Sequence, residues 1–528
     1  MKKQSFILGA GLLAISGVLC KILGAIYKVP LANLLGTEGM GIYYLVFPIY
    51  SFLLTLSSAS LPTVISRMIS ETVAEGKFKH AKKIFRAALF LSLFSGLLFT
   101  ILMCVFSELF SELEGVEGGA IAFISIAPAL LFVAGISALR GYFQGLQNMT
   151  PTSVSQIIEQ VGKVAFGFIF SSLLLRFGII YAVIGSLLGV VVSELLGLIY
   201  LLICYYVHNK KQMRIVSVES EVGSGYFKLM GRIFKSSLPF IFGSILFPLS
   251  TVIDNFLIIN ILRKTGYEFS LASSLLGINT GIVNTLINLP VTIAIALSMA
   301  IIPTVSSALA KNEVDEVAKK IEFAIKIVLI ITIPCVVVFI AFPDYVVSVL
   351  FSGAIGSGSE FVVACNLLMI SAINVFYLSL LQICTAVLQA YKKAYIPVWS
   401  LFIAIVIKTV VECLLLTMKQ VNILGVVISN SVCYFVAVFI DLIYLRRNVL
   451  LKLNFQKTIL FPFLSAGIMS VGIYFTIKFL YLFMPARWAI LLSFTGGILV
   501  YFSLLFLFKV FTKRELGFAI RNRRQKVE

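Results

Sequence analysis

The stretch SVSQIIEQVGKVAFG, residues 153–167, sets Gln156, Glu159, Gln160 and Lys163 at i, i+3, i+4 and i+7, one polar stripe on an otherwise apolar helix. Ionisable side chains among apolar ones are expensive and are kept where they bind something or face water, so the stripe is a candidate binding surface. A later stretch repeats the theme with Lys408 and Glu412, again a Lys/Glu pair four residues apart. Such pairs either neutralise each other as internal ion pairs or serve a cargo. A different case is GVLCKILGAIYKVPLANLLG, residues 17–36, where Lys21 and Lys28 lie two helical turns apart on a face shared with Gly17 and Gly24. No acid stands within reach of them in their own stretch, so these amines are free to supply countercharge to an anion. Lys28, near the end of its apolar run, can also snorkel to the surface. Asp254 beside Asn255, Glu194, and Asn284 with Asn288 on the face of Gly277 and Gly281 complete the candidates. Pro290 follows and is expected to break that last helix.

The elements that must hold these residues are membrane helices. The chain is 60% hydrophobic and 12% charged with a mean hydropathy of +1.06, outside the range of soluble globular chains. Counting one crossing per roughly 20 apolar residues gives about fourteen transmembrane helices and an all-α integral membrane fold. The stripe falls in the fifth span and Lys408 with Glu412 in the eleventh. The Lys and Arg residues mark the topology: basic clusters lie at 67–86, 210–235, 446–457 and in the tail KRELGFAIRNRRQKVE, whereas the loop SELFSELEGVEGG is purely acidic. By the positive-inside rule both termini are cytoplasmic. The net charge of +19 then reports topology and contact with anionic membrane lipids, not nucleic acid. The opening Met1-Lys2-Lys3 and its apolar run read as a retained first span, with no convincing small-residue cleavage site.

Several chemistries are excluded. The eight cysteines all fall in or beside apolar spans without close pairing, and read as packing residues rather than disulfides or metal ligands. His80 and His208 sit in basic loops, away from any metal-binding pattern. There is no phosphate-binding glycine loop and no cytoplasmic connection long enough for an ATPase domain. The outer loops are too short to carry the catalytic constellation of a membrane glycosyltransferase. No enzyme activity and no cofactor is implied, apart from a coupling ion whose identity the sequence leaves open.

The chain carries an internal echo. SLPTVIS at 60–66 recurs as IIPTVSS at 301–307, each followed by AKKI, at 81–84 and 318–321. Gln144 precedes Lys163 by the same spacing as Gln389 precedes Lys408, with Pro151 or Pro397 between them. The expected organisation is two six-helix lobes in parallel pseudo-repeat, 1–225 and 226–450, followed by two extra C-terminal helices and a basic cytoplasmic tail, 451–528. Parallel repeats of this kind are an architecture of transporters, with the substrate site between the halves.

The opening LCKILGAIYKVPLANLLGTEGMGIY, the stretch LPTVISRMISE with its basic loop, LQNMTPTSVSQIIEQVGKV and the span count together resemble the multidrug/oligosaccharidyl-lipid/polysaccharide exporter superfamily, and within it the stage V sporulation protein B and lipid II flippase branch. The resemblance covers nearly the whole chain. It implies a flippase of the bacterial cytoplasmic membrane, a monomer, moving a polyprenyl-pyrophosphate-linked saccharide such as a peptidoglycan precursor from inner to outer leaflet by alternating access. It also matches Lys21 to a basic residue that those flippases carry in the central cavity, and leaves Thr285 where they carry another cation. The rival reading within the superfamily is a cation-coupled multidrug antiporter, whose cavity would be acidic. The topology is checked by fusion: a reporter after residue 528 is expected in the cytoplasm and one inserted at Glu114 outside, and a cytoplasmic Glu114 would undo the span count.

Overall fold

The computed structural model describes residues 6–58, 60–116, 118–212, 225–311, 313–356, 358–418, 420–448 and 454–510. Among them every regular element is a helix. The basic tail from 513, and parts of the basic clusters at 210–235 and 446–457, lie outside the described residues. Thirteen helical stretches are long and apolar enough to cross a bilayer. The first of these holds two crossings, which brings the total to the fourteen expected.

The reason lies in α1 (Phe6–Ser58), whose 53 residues would run for about 80 Å if straight, against roughly 30 Å of hydrocarbon. Gly36 breaks it at φ 69°, ψ −176°, a backbone region essentially reserved for glycine. Lys28 and Tyr44 stand on opposite sides of that break, yet the Lys28 Nζ lies 5.4 Å from the centroid of the Tyr44 ring. A straight helix would hold their Cα atoms about 24 Å apart. The chain therefore folds back at Gly36, and α1 is a hairpin of two crossings.

Packing divides the chain into two compact units, one of residues Met1–Gly281 with Leu416–Asn422, the other of Ile282–Leu415 with Ile423–Glu528. The first contains α1, α2 (Leu61–Ala74), α3 (Phe78–Val105), the short α4 (Ser107–Leu113) and α5 (Ala120–Ile126), then α6 (Pro128–Gly145), α7 (Thr150–Leu174), α8 (Ile179–Gln212), α9 (Tyr226–Lys264) and α10 (Phe269–Leu276). Its helices show how a membrane protein inverts the soluble pattern. On α3, Phe90, Phe94, Leu97 and Ile101 form one exposed apolar stripe suited to lipid, while Ala81, Ile84, Phe85, Ala88, Ser92 and Gly96 are buried against the bundle. A Cβ on Gly96 would stand 2.6 Å from the Ala134 Cβ, so a small residue is what lets α3 approach α6. The internal echo would place α9 and α10 in the second lobe, but here they pack on the α1 hairpin, and the side-chain amide of Asn255 donates to the Tyr44 carbonyl.

The second unit comprises α11 (Asn284–Ala310), α12 (Val314–Ala341), α13 (Pro343–Phe351), α14 (Ser359–Ala390), α15 (Tyr395–Leu416), α16 (Leu424–Asn448), α17 (Phe461–Leu480) and α18 (Ala486–Leu507). α14 is its central post, packed against α11, α12 and α16. The two extra C-terminal helices, α17 and α18, pack within this unit. The Tyr501 hydroxyl donates to the Ile330 carbonyl at 2.7 Å, and the buried Lys326 Nζ donates to the Val510 carbonyl at 2.6 Å. Pro290 does not break its helix, for α11 runs through both Pro290 and Pro303. The irregularity falls earlier, in a π-helical segment at Gly277–Val283, where the extra residue per turn loosens the backbone.

The acidic loop is more tightly built than its composition implies. Glu114 closes α4 and is only 2% exposed, and its Oε2 has no hydrogen-bond partner among the described residues. The Asn260 amide donates to the Leu113 carbonyl at 3.0 Å, tying the loop to α9. Burial lifts the Glu114 carboxyl from the usual range to about 8. Because the folded loop favours the protonated acid, this group stabilises the loop at low pH, and the contribution disappears as pH rises through about 8. Amide hydrogen exchange around Glu114 should therefore quicken beyond the intrinsic rate between about pH 5 and 8 and show no further excess above that, and Glu114→Gln should abolish the excess.

Candidate functional site

α7 and α8 touch backbone to backbone. A Cβ on Gly189 would lie 2.3 Å from the Gly167 amide nitrogen, and one on Gly185 would lie 2.5 Å from the Phe170 carbonyl oxygen. Small residues on both helices thus bring charged neighbours into reach. Further along, a Cβ on Gly197 would fall 2.6 Å from the Glu159 Oε1, so the glutamate occupies the notch that glycine leaves.

Charges from three helices meet there. The Arg140 Nη2 of α6 pairs with the Glu159 Oε1 of α7 at 2.6 Å, and the guanidinium also donates through Nε and Nη2 to the Ser155 hydroxyl at 3.0 Å. The Lys163 Nζ of α7 pairs with the Glu194 Oε1 of α8 at 2.6 Å. The expected pairing of Lys163 with Glu159 along one helix is therefore replaced by two interhelical pairs. The reason is inventory: bonding within α7 would strand Arg140 and Glu194 without countercharge in the membrane. Arg140 escaped the sequence reading because it falls at the edge of the fourth span. The signal available was the apolar run GYFQG that still follows it.

The first arm of the α1 hairpin lies along this group. Ser16 donates to the Gln156 Oε1 at 3.1 Å, and a Cβ on Gly24 would stand 3.1 Å from the Gln160 amide nitrogen. The stripe on α7 therefore faces the hairpin with its glutamines and α6 and α8 with its charges. Lys21 projects from the arm, exposed, with no ion-pair or hydrogen-bond partner among the described residues. Lys28 is half-buried and rests over the face of Tyr44, a cation–π contact in place of the snorkelling open to it in sequence. Asp254 is half-buried on α9 next to Asn255, whose amide reaches the Tyr44 carbonyl.

The remaining candidates belong to the second unit. Asn288 is exposed on α11 and its amide donates to the Asn284 carbonyl at 2.7 Å, while Thr285 beside it is buried. Lys408 and Glu412 are both buried on α15. All eight cysteines are free thiols, and no metal-binding cluster occurs among the described residues.

Fourteen helical crossings, with charge paired among α6, α7 and α8, mark a multi-pass membrane protein. Residues 7–309 match the family model of polysaccharide biosynthesis proteins and residues 239–414 that of MatE. The chain belongs to the polysaccharide biosynthesis protein family, within the multidrug/oligosaccharidyl-lipid/polysaccharide exporter superfamily. It is similar to stage V sporulation protein B of Bacillus subtilis strain 168, at 28% identity over 81% of both chains. It is also similar to the lipid II flippase MurJ of the same organism, at 24% identity over 88% of this chain and 87% of that one. Among solved structures, a lipid II flippase MurJ in an inward closed conformation superposes with a TM-score of 0.66 at 17% identity, covering 94% of this chain and 98% of that one. An inward-facing multidrug resistance MATE family transporter gives 0.64 at 17% identity, covering 81% and 94%. These likenesses establish the fold and the transporter class.

Removing one member of an interhelical pair leaves its partner's charge unpaired in the membrane. Arg140→Ala should lower stability by on the order of 3 kcal/mol, read as a fall in the melting temperature of the purified protein. Arg140→Ala combined with Glu159→Ala should recover most of that loss. The same cycle on Lys163 with Glu194 should show coupling, and Lys163 with Glu159 much less.

Proposed function

We propose that this transporter moves a polyprenyl-pyrophosphate-linked saccharide from the inner to the outer leaflet of the bacterial cytoplasmic membrane by alternating access, with both termini in the cytoplasm. The observation that carries the reading is the charge left over in the first span. The carboxylates of Glu159 and Glu194 are engaged by Arg140 and Lys163, whereas Lys21 has no partner among the described residues and Lys28 has an aromatic face. A surplus of amines on the α1 hairpin suits an anionic head group. Pyrophosphate offers acceptor oxygens to ammonium groups, the saccharide's hydroxyls suit Gln156 and Gln160, and the polyprenyl tail stays in lipid. Lys408 with Glu412, Asp254, Asn284 and Asn288 are further candidates for the polar path. The relation to stage V sporulation protein B and to a lipid II flippase supports a lipid-linked cell-wall saccharide as cargo.

The second reading, export of cationic small molecules against an ion gradient, is favoured by the MatE match and the MATE structures. Its requirement is a free acidic group in the cavity, and the two glutamates of the first unit described above are already paired. Reconstitution in vesicles separates the two: with lipid II, another polyprenyl-linked saccharide and a cationic dye offered in turn, the lipid-linked saccharide should change leaflet and the dye should not. Movement of the dye alone would overturn the proposal.

Lys21 gives the residue-level test. Lys21→Ala should abolish complementation of a flippase-deficient strain while membrane levels stay normal, because removing an unpartnered cation strands no acid. Lys21→Arg should retain much of the activity, since guanidinium also pairs with phosphate oxygens. Normal growth on well-expressed Lys21→Ala would show that this amine does not hold the cargo.

A further inference from the structure

The second unit hides a carboxyl that none of the foregoing uses. Asp441, on α16, is 0% exposed. Its Oδ1 lies 2.7 Å from the Ser400 hydroxyl of α15, and its Oδ2 has no hydrogen-bond partner among the described residues. The described ion pairs do not include it. The titratable group facing it from α14 is the buried Cys384 thiol, and Lys408 and Glu412 lie two or more helical turns beyond Ser400 on α15. Ser400, equally buried, also sits 3.1 Å from the Pro397 carbonyl.

A serine hydroxyl carries one hydrogen, and here two acceptors compete for it. An ionised Asp441 would leave either the Pro397 contact or its own Oδ1 without that hydrogen, and its Oδ2 bare in an apolar interior, a costly arrangement. A neutral carboxylic acid satisfies the geometry. The Asp441 acid proton, on Oδ1, is donated to the Ser400 Oγ, and the Ser400 proton goes on to the Pro397 carbonyl. The three groups form a directed chain that starts at Asp441 and points to the opening turn of α15.

We propose that Asp441 is a proton-binding site, loaded in the conformation seen here, which gives up its proton when the transport cycle exposes it to water and so links transport to the pH gradient. The step is a simple ionisation: the O–H bond breaks, the proton passes to water, and a carboxylate remains. The coupling rests on the transport proposed above, whereas the protonation state does not.

Two measurements keep those apart. Infrared difference spectra between the wild-type protein and Asp441→Asn in membranes at neutral pH, in which the protonated Glu114 cancels, should show a protonated carboxylic acid carbonyl band, and that band should be shifted in Ser400→Ala. The band should bleach as the pH is raised. Its absence from the wild type, or its persistence unchanged to pH 10, would overturn the proposal whatever the cargo proves to be. In vesicles loaded with lipid-linked saccharide, an imposed pH gradient should speed wild-type transport several-fold, and Asp441→Asn, which mimics the neutral acid, should lose that acceleration. An unchanged ratio of rates with and without the gradient in a well-folded Asp441→Asn protein would equally sink the coupling.

Discussion

A charge inside hydrocarbon must be paired, stacked, neutralised or wet, and the rest of this molecule is arranged around that demand. The interhelical pairs Arg140–Glu159 and Lys163–Glu194 answer it for α6, α7 and α8 at once. Because each pair crosses between helices, it also fixes their register: sliding α8 by one turn would carry Glu194 about 5.4 Å from Lys163. The glycine contacts between α7 and α8 serve the same end, since helices held apart by larger side chains could not close a 2.6 Å ion pair.

The α1 hairpin depends on this platform. Ser16 and Gly24 rest on the glutamines of α7, and the arm beyond Gly36 returns past Lys28 to meet α9 through Asn255. The consequence is an orientation for the first-span amines that their own helix does not dictate. With Gly24 turned onto Gln160, Lys21, one turn earlier and about 60° round the same side of the helix, stays exposed. Lys21 is thus exposed with no partner among the described residues, whereas Arg140 and Lys163 are paired.

What could be read from the sequence followed from local rules. The period of the α7 stripe and the apolar spans are properties of single helices, and the structure keeps both. What escaped depends on which helix lies opposite. The i, i+4 spacing of Glu159 and Lys163 admits an ion pair, but only the fold reveals Arg140 and Glu194 as competing partners. Gly36 looks like any glycine in an apolar run, and its hairpin shows only in the contact of Lys28 with Tyr44. Pro290 is a strong local signal for a break, yet the helix absorbs it and yields instead at Gly277–Val283. The sequence echo placed 226–281 with the second lobe, while packing joins those residues to the first unit, because a repeat records descent and a contact records the conformation adopted.

The ways charge is hidden bear differently on the proposed transport. The paired residues of α6, α7 and α8 sum to zero, so whatever distance they move, the membrane field does no net work on them. Lys21 and Lys28 are different, for they carry positive charge that no carboxylate cancels in the described pairs. A bound pyrophosphate diester, with its two negative charges, would bring that hairpin close to neutrality, and the loaded site could then cross an interior-negative field with little electrical cost. The empty site returns carrying positive charge, and that step is favoured by about 2.3 kcal/mol per charge for each 100 mV crossed. On this reading the potential acts on the return of the empty carrier rather than on the cargo. The proton of Asp441 enters separately, because a carboxyl that stays neutral while buried adds no charge to either step until it opens to water.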